Sequence, residues 1–392
     1  MESGAWGNRE TMEDVAPALD DLRRFAVTRS LGAPRGLQPA LARLGFVQAD
    51  PIRAPARAQD LTLRHRVTGY RAGDLDRRFA ALGIEEDFFV NYGFVTRALH
   101  ALMHPRVDAA GWSRTRRATA AGVLEFVRAR GEVHPREVDD HFAHGTVVNY
   151  WGGSSSATTH LLEHMRYRGL LRVARRDKGI RIYAAADVTA LPPSALPPDR
   201  RVDALVDAAV GLYAPLPGRT LSFLVHRLRY AVPQWRRRLR PALERARRRL
   251  SHARVDGVDW FWPAGEAPSR AGPGAGVRLL APFDPVVWDR ARFELLWGWA
   301  YRFEAYTPAP RRTRGYYALP LLWGDRVIGW GNVSAADGSL HASLGYVGGT
   351  APRSKAFRAA LEEELERMRL FLVPRRAPGR ASGAGPASPA TG

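Results

Sequence analysis

A glutamine and an aspartate stand two residues apart in an otherwise apolar stretch, Leu44-Gly45-Phe46-Val47-Gln48-Ala49-Asp50-Pro51-Ile52. A carboxylate among apolar neighbours must be paired, protonated or used in chemistry, because burying an uncompensated charge costs free energy. In a strand, residues i and i+2 project from the same face, so Gln48 and Asp50 would act on a common atom. Asp50 also precedes a proline, which favours extended backbone there. A turn or a helix cap is the alternative interpretation of a Gln-x-Asp-Pro sequence.

The charge of the chain indicates the kind of partner that this carboxylate meets. The sequence has 59 Lys and Arg against 39 Asp and Glu, a formal net charge of +20. Such an excess favours a polyanion, most often nucleic acid. Lysine occurs only at positions 178 and 355, so the positive charge is nearly all guanidinium, which binds phosphate or guanine through two hydrogen bonds at once.

Length and composition set the class of protein. A chain of 392 residues with 45% hydrophobic content is long enough for two to four modules with real cores. The lack of cysteine excludes disulfides, thiol nucleophiles, iron–sulfur clusters and cysteine-containing zinc sites. No apolar run reaches the roughly 18 residues that span a bilayer, and residues 1–14 lack a signal-peptide core. We therefore expect a cytoplasmic, nucleoid-associated protein with no membrane partner.

Residues 15–110 are predicted to be mainly helical. An amphipathic stripe leads directly into the Gln48 to Asp50 segment, at Leu37, Leu41, Leu44 and Val47. A second helix is predicted to begin near Pro55 and to carry Leu61 and Leu63. Four arginines around it are expected to place positive charge close to Asp50: Arg53, Arg57, Arg64 and Arg66.

Residues 116–190 are predicted to form a winged helix. One helix carries Val123, Leu124 and Val127, a short one follows at 135–142, and a third is expected over 154–168. That third helix would be the recognition helix, with Ser154, Ser155 and Ser156 available as N-caps. The alternating residues of 171–173 and 180–182 then predict a hairpin, or wing, whose tip is cationic: Arg175, Arg176 and Lys178.

Residues 200–263 repeat this plan and are predicted to be a further winged helix. One helix begins near Val202, and Thr220 is expected to cap a second. The third lies between Pro233 and Leu250 and is expected to kink or split at Pro241. It holds eight arginines, more than solubility requires: Arg236, Arg237, Arg238, Arg240, Arg245, Arg247, Arg248 and Arg249. A hairpin through Val255 and Trp260 would be its wing.

The last part of the chain has a different character. Aromatic and β-branched residues in short alternating runs predict a small β-sheet or barrel in a domain over 275–370. A helix over 355–370 closes it, with Glu362, Glu363, Glu364 and Glu366 as a solvated acidic face. Residues 375–392 are rich in Pro, Gly, Ala and Ser, which predicts a disordered tail. The fold class predicted is α+β, with tandem winged-helix modules followed by this C-terminal β-domain.

Several stretches together resemble the bacterial YcaQ/AlkZ-like family of winged-helix DNA glycosylases. They are LGFVQADPI, ARAQDLTLRHRV, LLAPFDPVVWDR, YRFEAYTPAPRR and RGYYALPLLWGDR. The resemblance covers most of residues 17–350, and Gln48-Ala49-Asp50 fits the family's Gln-x-Asp branch. This sequence departs from the family at Val90-Asn91-Tyr92-Gly93-Phe94-Val95, where relatives carry a Glu-Tyr-Trp-x-His-Glu-like segment.

The resemblance implies a DNA glycosylase that releases alkylated purines such as N7-alkylguanine and unhooks interstrand crosslinks in double-stranded DNA. Asp50 would stabilise the developing sugar cation and activate water, and Gln48 would position that water. No lysine near the signature can form a Schiff base, so we expect monofunctional base release by a monomer without a cofactor. DNA contacts are expected from ten residues: Arg53, Arg57, Ser154, Ser155, Arg175, Arg176, Lys178, Arg237, Arg245 and Arg248.

Other interpretations remain open at this stage. A winged-helix regulator or damage-binding protein without turnover would have the same charge and modules, whereas no aromatic signature supports RNA binding. His141 and His144 have the i, i+3 spacing of metal ligands, but exposed histidines near a helix end are usually solvated, and no metal is expected. Glu304 is expected to be structural.

Overall fold

The computed structural model describes residues 16–32, 36–107, 111–143, 145–148, 154–177, 179–187, 189, 192–268, 271–336 and 339–373. At 147, 148, 154 and 155 only the backbone is described. Helices and strands alternate throughout, so the fold class is α+β, as predicted. Residue 144, Lys178 and the predicted disordered tail lie outside the described residues.

The first unit contains a three-stranded sheet that the sequence analysis did not predict. Its elements are α1 (Leu19–Leu31), α2 (Leu37–Leu44), β1 (Phe46–Gln48), α3 (Ala58–Leu63), α4 (Asp74–Arg78), a 3-10 turn (Phe79–Ala81), β2 (Ile84–Phe88), β3 (Tyr92–Thr96) and α5 (Arg97–Met103). The strand order is β1-β3-β2, all antiparallel. The prediction that Val47 continues the helix is wrong: Gly45 at φ +68° ends α2, and Val47 lies in β1.

The second unit follows the predicted order of elements. It comprises α6 (Arg114–Arg130), β4 (Glu132–Val133), α7 (Pro135–Phe142), β5 (Thr146–Val148), β6 (Ser154–Ser156), α8 (Ala157–Arg168), β7 (Leu171–Asp177) and β8 (Ile180–Ala185). The last two strands form the expected hairpin, in a sheet ordered β4-β8-β7. The predicted start of the third helix is wrong. Ser154 and Ser155 belong to β6, and the Ser156 hydroxyl caps α8 by accepting from Thr159 N–H.

The third unit repeats this arrangement. It contains α9 (Pro198–Tyr213), β9 (Leu216–Pro217), α10 (Gly218–Arg227), two 3-10 segments (Leu228–Tyr230 and Pro233–Arg238), α11 (Leu239–Arg249), β10 (Ser251–Val255) and β11 (Val258–Trp262). Two predictions are wrong here. The helix breaks at Trp235, not at Pro241, which lies in the first turn of α11, where a missing N–H is tolerated. Thr220 lies inside α10 and donates its hydroxyl to Asp289.

The C-terminal part is a four-stranded antiparallel sheet ordered β12-β13-β14-β15, with a helix that the sequence analysis missed. Its elements are β12 (Val277–Leu279), α12 (Arg290–Trp297), a 3-10 turn (Ala309–Arg311), β13 (Leu319–Trp323), β14 (Arg326–Ala336), β15 (Ser339–Tyr346) and α13 (Lys355–Leu372). The prediction that the glutamates of α13 form a solvated face is wrong for Glu364. That side chain is fully buried and binds Arg64 of the first unit.

The parts of the chain share one apolar core. Buried side chains of the first, second and third units and of the C-terminal sheet form a continuous cluster. Phe25 of α1 packs edge-to-face on Trp262 of β11, with ring centroids 6.4 Å apart. The segments that the sequence separates by hundreds of residues are therefore held as neighbours around β1. Among the described helices, none has both the length and the apolar character needed to cross a membrane.

Candidate active site

Strand β1 is held tightly against β3, and a glycine makes this approach possible. Gln48 pairs with Gly93 across the two strands. A Cβ atom at Gly93 would lie 2.6 Å from the Phe46 ring and would collide with the Val47 carbonyl oxygen. The absence of a side chain at 93 thus fixes the position of the strand that ends in the predicted catalytic pair.

The orientation of the buried Gln48 amide is set by an indole from the C-terminal part. Trp288 Nε1 donates to Gln48 Oε1 at 2.8 Å. Because an indole N–H can only donate, the amide oxygen must face it, and the amide NH2 group points elsewhere as a donor. Trp288 is itself fixed by stacking on Tyr213, with ring centroids 4.9 Å apart.

Asp50 lies just beyond the end of β1 and is half-buried. Its backbone N–H donates to Gln59 Oε1 at 3.3 Å, and its Oδ1 accepts from Ile52 N–H at 2.9 Å. Burial raises the pKa of Asp50, and the Ile52 N–H offsets only part of this effect. The carboxylate is thus a stronger base than an ordinary aspartate.

The prediction that neighbouring arginines place positive charge at Asp50 is wrong for Arg57, Arg64 and Arg66, whereas Arg53 is exposed and makes no ion pair with a described residue. Arg57 binds Asp76 at 2.6 Å and also contacts Asp60. Arg64 and Arg66 pair with Glu364 and Asp284, respectively. No arginine contributes to the pKa shift of Asp50, because each of these guanidiniums turns towards a carboxylate on another element.

A tyrosine that the sequence analysis did not single out completes the site. Tyr317 is buried, and within the described part of the chain its hydroxyl has no hydrogen-bond partner. Burial raises the pKa of Tyr317, and the charge of Asp50 raises it further. Tyr317 and Ala54 line an open cleft of about 540 Å³ whose other wall consists of β14 and β15. Tyr317 thus lies on the cleft and within electrostatic reach of Asp50, and an unpartnered buried hydroxyl is a donor available to a ligand.

Nine of the ten predicted DNA-contact residues fall into three groups, and the tenth, Lys178, lies outside the described residues. Arg57, Arg175, Arg176 and Arg245 pair with carboxylates of the chain itself, the last three with Glu132, Glu86 and Asp203. Arg53, Arg237 and Arg248 are exposed, and the described residues offer them no ion pair. For Ser154 and Ser155 only the backbone of β6 is described. Arg53, Arg237 and Arg248 can therefore bind a phosphate without first breaking an ion pair.

Strand β2 carries three acidic residues that the sequence analysis overlooked. Glu85, Glu86 and Asp87 are all buried. Glu86 accepts from Arg176 at 2.5 and 2.6 Å and from Arg181 at 3.0 Å. The β7–β8 hairpin of the second unit is therefore tied to the first unit by these ion pairs. Acidic runs usually indicate a solvated face, so no local signal in the sequence marks this network.

Asp87 and two histidines form a group with metal-like spacing. Ligand atoms of Asp87, His100 and His104 lie within 4.8 Å of one another. However, Arg106 Nη1 donates to Asp87 Oδ1 at 2.6 Å, and this buried guanidinium already supplies the positive charge. The donor set is thus an ion-pair network and does not fit a metal cation. His141, which the sequence analysis considered with His144 as a pair of metal ligands and expected to bind no metal, stacks on Phe126 with ring centroids 4.5 Å apart.

Glu304 stabilises a loop, in agreement with its expected structural role. Its Oε2 accepts from the backbone N–H groups of Thr313, Arg314 and Gly315, and its Oε1 accepts from the Thr313 hydroxyl at 2.7 Å. Because this loop immediately precedes Tyr317, Glu304 fixes the segment that leads to the cleft.

Comparison with known proteins identifies the family. The model of the AlkZ-like DNA glycosylases matches residues 41–371. Among solved structures, the DNA glycosylase AlkZ of Streptomyces sahachiroi has the same fold, with a TM-score of 0.58 and 15% sequence identity, over 91% of this chain and 97% of that protein. The match spans the Gln48 to Asp50 segment, Trp288 and Tyr317, and the chain belongs to the AlkZ-like DNA glycosylase family.

Proposed function

We propose that this DNA glycosylase hydrolyses the N-glycosidic bond of alkylated purines such as N7-alkylguanine and unhooks interstrand crosslinks, with water as the nucleophile. The observation that carries the proposal is the Asp50 carboxylate, which is half-buried, has no cationic partner within the described residues, and acts electrostatically on Tyr317, a residue that lines an open cleft. Such a group costs folding free energy, and a carboxylate with a shifted pKa near a cleft is typical of a catalytic site.

The leaving group determines what the protein must supply. An N7-alkylated purine is already cationic, so the bond from C1′ to N9 breaks with its electron pair moving into the base, which leaves neutral. The sugar then carries oxocarbenium-like charge, which the Asp50 carboxylate stabilises. Water attacks C1′ and gives its proton to the same carboxylate, leaving an abasic site. Burial strengthens both effects, because it raises the pKa of Asp50.

Gln48 and Tyr317 hold the water and the sugar around Asp50. The amide oxygen of Gln48 accepts from Trp288, so its NH2 group is the part that donates to the water oxygen. The Tyr317 hydroxyl, which has no partner in the described structure, donates to a sugar or phosphate oxygen. Neither lysine of the sequence is near this site in the chain, so no Schiff base forms and the strand is left intact.

An open cleft suits a crosslinked substrate. A crosslinked base is tethered to the opposite strand, so it cannot rotate fully into a closed pocket. The cleft between Ala54 and strands β14 and β15 is open to solvent and can admit a base from the side.

The DNA is proposed to lie on winged-helix units that precede the C-terminal β-domain at 275–370. The stretches 15–110, 116–190 and 200–263 each contain a three-stranded antiparallel sheet in which the first strand pairs with the last. Arg53, Arg237 and Arg248 are the proposed phosphate contacts. The protein is proposed to act as a monomer on nucleoid DNA. Each phosphate neutralised should contribute roughly −0.9 to the slope of log affinity against log salt.

Replacing Asp50 by Asn tests the mechanism. Asn keeps the shape and the acceptor for Ile52 N–H but lacks the charge, so release of 7-methylguanine under single-turnover conditions should fall by about 10²- to 10⁴-fold. Binding to undamaged duplex should be unchanged. The matched control is Asp256→Asn, an exposed turn residue at φ +49° where Asn is also tolerated.

Two outcomes would contradict the proposal. Undiminished base release by the Asp50→Asn variant would remove Asp50 from the reaction. Tight DNA binding by the unaltered protein without release from 7-methylguanine or nitrogen-mustard crosslinked DNA would indicate a damage-binding or regulatory protein that has lost turnover.

A further inference from the structure

A second cavity lies between α3, β12 and α13, and it shares no lining residue with the cleft beside Asp50. Its volume is about 420 Å³. Four arginines line it: Arg64, Arg71, Arg278 and Arg367. Tyr70 and Phe371, stacked with ring centroids 6.3 Å apart, form part of the wall. A cavity with this many guanidiniums raises the question of what balances their charge.

Two of the four arginines are neutralised within the protein. Arg64 pairs with the buried Glu364, whose Oε1 also accepts from Leu279 N–H at 2.8 Å. Arg367 binds Glu364 at 3.0 Å and Glu363 at 2.5 Å. The two glutamates therefore account for the charges of Arg64 and Arg367.

The other two arginines have no counter-ion in the described structure. The side chains of Arg71 and Arg278 make neither a hydrogen bond nor an ion pair with any described residue. Arg71 Nη1 is fully buried without a partner, and so is Nε of Arg64. Burial lowers the pKa of Arg278, and although the charge of Glu364 acts in the opposite direction, the pKa stays below its ordinary value. The missing counter-ions, the buried donors without a partner and the lowered pKa of Arg278 all indicate positive charge that costs folding free energy.

The remaining titratable group of the cavity adds no charge of its own. His65 Nε2 donates to the Leu279 carbonyl at 2.9 Å. Burial lowers the pKa of His65 far below its ordinary value, and Arg64 lowers it further, so the ring is neutral. The uncompensated charge of the cavity is therefore that of Arg71 and Arg278, two positive charges.

From this arrangement we infer that the cavity is a binding site for a phosphate group, which is a dianion in free phosphate and a monoanionic diester in a DNA backbone. Each of the two uncompensated guanidiniums offers a planar fork that fits phosphate oxygens. The buried Nη1 of Arg71 and Nε of Arg64 are donors that such an anion would satisfy. The phosphate comes either from a small free anion or from the backbone of bound DNA. The site does not depend on the mechanism assigned to Asp50.

The double variant Arg71→Gln/Arg278→Gln tests the inference in two arms. The first titrates inorganic phosphate into the full-length protein by calorimetry. The second measures how the affinity for undamaged duplex DNA varies with salt. The matched control is Arg353→Gln/Arg358→Gln, which removes the same charge from two exposed positions near the start of α13, outside the cavity.

The two sources of phosphate predict different results. A small-anion site predicts that phosphate binds the unaltered protein and the control, and binds the cavity variant roughly tenfold or more weakly, since one hydrogen bond to a charged group is enough for that change in Kd. If a DNA phosphate binds in the cavity, the slope of log affinity against log salt should become shallower by roughly 0.9 in the cavity variant but not in the control.

The inference is overturned if the cavity variant matches the control in both arms. Thermal unfolding without phosphate checks the fold of the variant, which should be at least as stable as the unaltered protein because the cost of burying the Arg278 charge is removed. If the glutamine variant does not fold, Arg71→Lys/Arg278→Lys takes its place. It keeps the charges but loses the planar forks, so weakened phosphate binding is again the expected result.

Discussion

The two edge strands of the first sheet present carboxylates in opposite surroundings. Asp50, just beyond β1, has no cationic partner among the described residues, and burial raises its pKa. Asp87, on β2, is more deeply buried, which by itself raises its pKa. Arg106 and His104 outweigh that effect, however, and hold the pKa of Asp87 well below its ordinary value. Burial alone therefore does not mark a reactive carboxylate; burial without a compensating cation does.

The two carboxylates differ in their surroundings because only Asp87 binds a residue that links separate units of the molecule. Around Asp87, Arg106 also donates to the carbonyls of Ala231 and Tyr167, so this ion pair joins the first unit to the second and third. Asp50 accepts only from Ile52, two residues away, in the described structure. One carboxylate stabilises the assembly of units, whereas the other is left available at a cleft.

The largest expected difference between Asp87 and Asp50 is in how much each contributes to the free energy of unfolding. Asp87→Ala leaves the fully buried Arg106 without a counter-ion, which should lower the free energy of unfolding by about 3–5 kcal/mol. Asp50→Ala should change it by less than about 0.5 kcal/mol, because no cation loses a partner. Urea denaturation followed by circular dichroism measures both values. Equal losses in the two variants would contradict the distinction.

Of the two carboxylates, only Asp50 could be singled out from the sequence. The Gln48 to Asp50 pair was recognisable because polar side chains interrupt an apolar run, and the helix–hairpin order of the second unit followed from periodicity. Glu85, Glu86 and Asp87 were overlooked, since acidic residues are uncommon in strands and their partners Arg106, Arg176 and Arg181 lie elsewhere in the chain. Only the folded structure brings these residues together.

Local sequence was also misleading about which side chains meet. Arg57, Arg64 and Arg66 are close to Asp50 in the chain, yet Arg64 pairs with a glutamate 300 residues away. In contrast, Trp288 is 240 residues from Gln48 and binds it directly. Tyr317, just before β13, is likewise distant from Asp50 in the chain, yet the charge of Asp50 raises its pKa. Periodicity reports which face of an element is apolar, but not which distant element covers it.

The next largest effect is expected at Gly93 in β3, the strand that lies between β1 and β2. Gly93→Ala would place a methyl group against the Val47 carbonyl and the Phe46 ring, forcing β1 away from β3. We expect a loss of about 1–3 kcal/mol in the free energy of unfolding, as for other overpacked sites. Base release should also slow, because β1 positions Gln48 and Asp50. Gly211→Ala is the control, since a Cβ there meets nothing within 4 Å. A fully active and stable Gly93→Ala variant would show that this close approach is dispensable.

Lowering the pH should reduce activity, through Asp50, before it reduces stability, through Asp87. The proposed mechanism requires ionised Asp50, so the rate should fall about tenfold per pH unit, or about 1.4 kcal/mol, once the pH is below its raised pKa. The pKa of Asp87 is lowered in the folded state, so its contribution to stability is complete above its unfolded pKa and is lost only as the pH falls through the depressed value.

Activity is therefore expected to disappear at a higher pH than the native circular dichroism signal, and to return on neutralisation. Single-turnover rates and spectra recorded over the same pH series provide the measurement. If the rate and the spectrum change together, protonation of Asp50 is not what limits the reaction.

The smallest effect concerns the hydrogen bond that orients Gln48. Trp288→Phe keeps an aromatic ring against Tyr213 but removes the indole N–H, which leaves the buried Gln48 oxygen without its donor. We expect base release to slow by roughly tenfold, since the cost of an unmet buried hydrogen bond is about 1–3 kcal/mol. Trp297→Phe is the matched control, because its indole donates to the Asp325 carbonyl at 2.8 Å, in another part of the molecule. Both variants lose one indole hydrogen bond and should lose similar stability, but only Trp288→Phe should slow the reaction. Equal rates in the two would mean that Trp288 contributes to packing alone and that Gln48 needs no fixed orientation beside Asp50.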